Sequence, residues 1–155
     1  MALSLMEEDI ERLGRTMRNL LERSEADGCL LCDGGGYVLS QEGLEQVDPL
    51  LLSALGAGVF AASRELARVL GEDEFSAVFH QGEVRSIFIR AVTADVLLVI
   101  IFSRGAHAGL VKHYAAPAVA ELKTAFEQVA AREHRVPHRE RSFVLTQNGP
   151  LFERE

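Results

Sequence analysis

The run VLLVIIF, Val96–Phe102, is apolar at every position. Side chains of a strand alternate between its two faces, so a strand with one wet face reads half polar. A strand without any polar residue has both faces covered and lies inside its sheet. This run therefore demands a layer above the sheet and another below it. A chain of 155 residues, 48% hydrophobic and 25% charged, is long enough to supply both layers within one domain.

The neighbouring segments fit that demand. Gly28–Cys32 and Tyr37–Gln41 are short strands joined by Asp33-Gly34-Gly35-Gly36, a hairpin signal because glycine reaches the positive φ of tight turns. Phe75–His80 and Val84–Arg90 form a second hairpin around Gln81-Gly82-Glu83. Met6, Ile10, Leu13, Met17, Leu20 and Leu21 recur at helical spacing and predict a first helix over 5–24. A last helix is expected over 107–132, with Pro117 inside it kinking it or delaying its regular part. The order is helix, two strands, helix, three strands, helix. Short turns join successive strands, so the expected fold is α/β: a five-stranded, mostly antiparallel sheet with helices on both faces. Residues 1–132 form this domain. Residues 133–155 are polar with apolar islands at Phe143, Val144, Leu145, Leu151 and Phe152, and read as a flexible C-terminal tail.

The second helix carries the functional signal. Asp48 can cap its first turn, Pro49 suits the first helical position, and Gly71 can close it in the left-handed region. At 100° steps Leu51, Leu55, Val59, Ala62, Leu66 and Val69 form one stripe, expected to face the core. The opposite arc holds Ser53, Ala57, Phe60 and Ala61, then Arg64 and Arg68. That arc is small and apolar where a solvated face is polar. It calls for a second cover, and the reading is a protein–protein interface.

Other chemistry is largely excluded. A net charge of −7 argues against nucleic-acid binding and against docking on anionic membrane. No signal sequence or membrane insertion is expected, and the reading is a cytoplasmic protein. Cys29 and Cys32 are spaced C-x-x-C. On a strand, residues three apart point to opposite faces, so the pair reads as structural rather than as a redox or metal site. His134 and His138 are separated by Pro137 and do not share a helix face. The glycine turn leads into a strand, not a helix, which excludes the usual phosphate loops. No catalytic, metal or cofactor site is expected.

The turn DGGGYVLS, the helix LLLSALGAGVFAASRELARVLGEDEF and the following FHQGEVRSIFIRAV and VLLVIIF resemble the Roadblock/dynein-light-chain family, nearest its bacterial MglB type. The likeness covers about residues 5–130. It implies a homodimer in which the second helices, here Asp48–Leu70, pair across a two-fold axis. The edge strands, here Phe75–His80, pair with their mates into one continuous sheet. The small residues Gly56, Ala57, Gly58, Ala61 and Ala62 would permit close approach. The interface expected from this is Ser53, Ala57, Phe60, Ala61, Phe75, Ala77 and Phe79.

The resemblance further implies a regulator of cell polarity without an active site of its own. It activates a small Ras-like GTPase of the MglA type by positioning the GTPase's own catalytic residues. Its partner-binding residues here would be Ala57, Ala61, Arg64, Glu65 and Arg68, with Phe143, Leu145, Leu151 and Phe152 as anchors in the tail. Arg64-Glu65 departs from the family pattern of small residues. A scaffold that tethers a GTPase or motor complex, and a small-molecule sensor domain, are the alternatives.

Overall fold

A computed structural model describes residues 3–103 and 105–135. Its elements are α1 (Glu7–Ser24), β1 (Gly28–Asp33), β2 (Val38–Glu42), α2 (Pro49–Leu70), β3 (Ala77–His80), β4 (Arg85–Ala91), β5 (Val96–Ser103) and α3 (Ala108–Arg135). The five strands form one sheet in the order β2-β1-β5-β4-β3, and every neighbouring pair is antiparallel. β5 is central and buried from Val96 to Phe102, as its unbroken apolar run requires. β3 starts at Ala77 rather than Phe75.

The strand alternation sorts the core into two layers. Cys29, Leu31, Phe88, Leu98, Ile100 and Phe102 face α1 and α3. Leu30, Cys32, Ile89, Leu97 and Val99 face the side that α2 covers. The two-helix layer is closed by Arg132 of α3, which pairs with Asp9 of α1 at 2.6 Å. Asp9 also accepts from the Met6 backbone N–H at 2.8 Å and so caps α1. The Arg132 hydrogen bond lowers the Asp9 carboxyl below its ordinary value, against the opposing effect of burial. α3 runs unbroken through Pro117. The proline lies on the exposed side, where water can satisfy the His113 carbonyl that its missing N–H leaves without a helical partner.

α2 is capped as its ends predict. Asp48 Oδ1 accepts from the N–H of Leu50 at 3.0 Å and of Leu51 at 3.4 Å. Gly71, at φ 76°, closes the helix: its N–H reaches Arg68 O and that of Glu72 reaches Ala67 O. By length and composition α2 could cross a membrane. In this fold it is instead a layer, seated on the sheet by Ser53, Gly56, Ala57, Phe60, Ser63 and Ala67, which are buried.

The turn between β1 and β2 abuts α2. Ser53 Oγ donates to Gly36 O. Gly36 has φ 86°, and a Cβ there would lie 2.9 Å from the Ala54 Cα on the helix. Backbone strain and backbone collision therefore act together. Gly36→Ala should lower the unfolding free energy by about 2 kcal/mol or more, whereas Gly34→Ala should stay within about 0.5 kcal/mol. Gly34 has open space around the added methyl group. Urea titration of the two variants checks this.

Candidate protein–protein interface

The structure reverses the expected faces of α2. Ser53, Ala57 and Phe60, expected on the outer arc, are buried against the sheet. Leu51, Leu55, Leu66 and Val69, expected in the core, are exposed, as are Leu50 and Leu70. These six large side chains are between 57% and 83% exposed. The cause is close approach. Gly56 faces β5, and a Cβ there would already be in van der Waals contact with Val99 Cγ2 at 3.4 Å. The gap there would be filled by a side chain of about alanine size, and the small stripe goes inward and the leucine stripe outward.

Leu51, Leu55, Ala62, Leu66 and Val69 fall within about 60° of one another around the helix. They make one continuous apolar strip on the outside of the molecule. Val59 and Leu52 lie at its edge and are partly buried against the sheet. Sequence reasoning missed this strip because every side of the first fifteen residues of α2 is uncharged, so no polar side marks the outside. The signal that was present is the spacing of small residues at 53, 56, 57, 63 and 67, which lets a helix lie close on a sheet.

The expected rim is only partly free. Ala61, Glu65 and Arg68 are exposed, and Arg68 pairs with Glu65 at 3.4 Å along the helix. Arg64 is tied down. Its guanidinium lies 5.1 Å from the Phe60 ring centre, donates to Ala94 O at 2.8 Å and stands 3.7 Å from a Glu74 carboxylate oxygen. It fastens α2 to the turn before β5 and is not a free cation.

β3 lies at the edge of the sheet and pairs only with β4. Ala77 and Phe79 point to the α1/α3 side and belong to that core. Phe79 stacks on Phe102 with centroids 5.9 Å apart, beneath the Lys112 ammonium. They are thus occupied within the chain, as Ser53, Ala57 and Phe60 are. Phe75 precedes the strand and is half-buried. What β3 offers a second chain is its outer backbone. The strand Ala-Val-Phe-His carries neither the lysine nor the proline that usually protects an edge. Phe143, Leu145, Leu151 and Phe152 lie outside the described residues.

The sequence model of the Roadblock/LC7 domain matches residues 13–102. The chain belongs to the Roadblock/LC7 family. It is similar to Myxococcus xanthus MglB, with 33% identity over 82% of this chain and 96% of that one, at a TM-score of 0.76. The gliding protein MglB from Thermus thermophilus is 30% identical over 82% of this chain and 97% of its own, at a TM-score of 0.76. An MglB solved in a tetrameric arrangement is 29% identical over 83% of this chain and 97% of that one, at a TM-score of 0.77. No curated protein sequence matches the chain.

The two cysteines stand on opposite faces of β1, Cys29 toward α1 and α3 and Cys32 toward α2. Both are free and buried. Burial pushes the Cys29 thiol up to about 12 and the Cys32 thiol up to about 11. Both shifts are upward, so above the ordinary thiol range the unfolded chain loses protons that the folded chain keeps. The thiol contribution to stability should be constant below that range and fall as pH rises from about 9 toward 11 and 12, by about 1.4 kcal/mol per pH unit for each thiol. Denaturant midpoints across that range, set against a Cys29→Ala, Cys32→Ala variant, measure the loss. Neither thiol should react with iodoacetamide in the folded protein at pH 8.

Proposed function

We propose that this chain is a homodimeric regulator of a small Ras-like GTPase of the MglA type, working in the cytoplasm without an active site of its own. The observation that carries the reading is the leucine strip of α2, uncovered within the chain, on a fold that matches MglB along most of its length. Burying one leucine is worth on the order of 2 kcal/mol, so a strip of this size favours a covered state. A second copy provides a cover that is self-complementary. Leu51, Leu55, Leu66 and Val69 would meet their own equivalents across a two-fold axis. The open backbone of β3 would pair with its mate and extend the sheet.

In that arrangement Ala61, Glu65 and Arg68 flank the helix pair and form the rim that the GTPase meets. GTP hydrolysis depends on positioning and on charge stabilisation, and a rigid partner surface can supply the first. Arg64, held by Phe60, Ala94 and Glu74, acts in the structure of this rim and not as a finger inserted into the GTPase. The GTPase's own residues then do the chemistry.

Leu55→Asp should yield a monomer by sedimentation at micromolar concentration, with its far-UV circular dichroism unchanged because Leu55 is outside the core. Ala61→Arg should leave the dimer intact and abolish binding of the GTPase. Single-turnover hydrolysis by an MglA-type GTPase, with and without the wild-type chain, tests the activity. Acceleration supports the reading, binding without acceleration selects a scaffold, and absence of binding overturns it.

A further inference from the structure

An apolar groove of about 230 Å³ lies on the face opposite α2, between the end of α3 and the turn joining β4 to β5. Phe126, Ala130, Val96, Ala94 and Leu3 line it. Two carboxylates, Asp95 and Glu127, stand at its rim. Among the described residues neither has an ion-pair partner. The groove is separate from the leucine strip and has no part in the dimer described above.

We infer that the groove is the docking site of this chain's own C-terminal segment, Phe143-Val144-Leu145. Three observations converge on that occupant. The first is reach. Ala130 lies five residues before Arg135, about 7.5 Å back along the helix. Phe143 lies eight positions beyond Arg135, and extended chain spans about 26 Å over eight such steps. Pro137 disfavours helix at the residue before it, so the chain can double back. The second is charge. Arg139 and Arg141 precede Phe143 by four and two residues, which brings two cations to the rim that holds the two unpaired carboxylates. The third is a fixed exit. Arg132 donates to Ser4 O at 3.2 Å as well as to Asp9, and Glu133 accepts from the Ser4 N–H at 2.7 Å. The helix end from which the segment departs is thereby locked beside the groove.

The chain contains no tryptophan, so Phe143→Trp places a single reporter in the segment. The expected result in the full-length protein is emission shifted to the blue, with several-fold less iodide quenching than a free peptide spanning 136–155 with the same substitution. Ala130→Glu added to the same chain should return both readings to the peptide values, with far-UV circular dichroism unchanged. Should that variant misfold, Asp95→Lys with Glu127→Lys removes the charge match and leaves the apolar lining intact, with the same expected loss. Peptide-like emission in the unaltered full chain overturns the inference. So does shielding that survives both sets of groove variants, which places the segment elsewhere. A Phe143→Trp chain mixed with excess Ala130→Glu chain should keep its shielding. Loss on mixing means that the segment docks on a second copy and overturns docking within the chain. None of these readings involves a GTPase, so they stand or fall separately from the proposed function.

Discussion

The approach of α2 to β5 sets the geometry of everything outside it. Gly56 over Val99, with Ser53 anchored on Gly36 O, seats the helix on the sheet through small side chains. Close seating has two consequences. It buries Phe60 as the single large side chain among the residues that α2 buries on the sheet, and it turns the leucines outward. An exposed apolar strip thus accompanies the packing of small residues on the other side of the same helix.

The layers, the strand order's antiparallel character and both caps of α2 were legible in the sequence. Each follows from a local rule: an unbroken apolar run, an Asp-Gly turn, an Asp-Pro start and a glycine stop. The orientation of α2 was not. A rule that sends the larger apolar stripe inward assumes that the other side is polar. From Pro49 to Ser63 no charge breaks the symmetry, and the first charged residue, Arg64, is held against Phe60 and the turn at Ala94 instead of marking the solvent side. Ser53, Ala57 and Phe60, expected on the outer arc, consequently lie buried against the sheet. Ala77 and Phe79 pack their side chains against the α1/α3 core and leave the backbone of β3 at the sheet edge. Here a long-range choice about which stripe fits the sheet overrides the local pattern.

The α1/α3 side is closed by comparison. Two helices cover it, and polar ties join them at the surface: Arg132 to Asp9, and Arg12 to Gln128. Arg18 of α1 reaches Glu42 on β2 at 2.8 Å and fastens that layer to the sheet edge. Exposed pairs such as this contribute little stability singly. Their value is geometric, because they hold the helix ends over the core that β1 and β5 provide.

The two faces of the sheet are therefore unequally covered, and the inequality has a direction. One helix cannot span five strands. α2 lies over β1, β2 and β5, so the cover thins out toward β4 and β3 on that side. Val78 and Ile87 are only partly buried there, although they pack on the same core as Val99. The uncovered apolar area thus comprises the outer strip of α2 and the adjoining half of the sheet, bounded by an edge strand without protecting charge. A cover that satisfies all three must bring both a helix and a strand edge. The second copy of the chain proposed above carries a helix strip and a strand edge of the same kind.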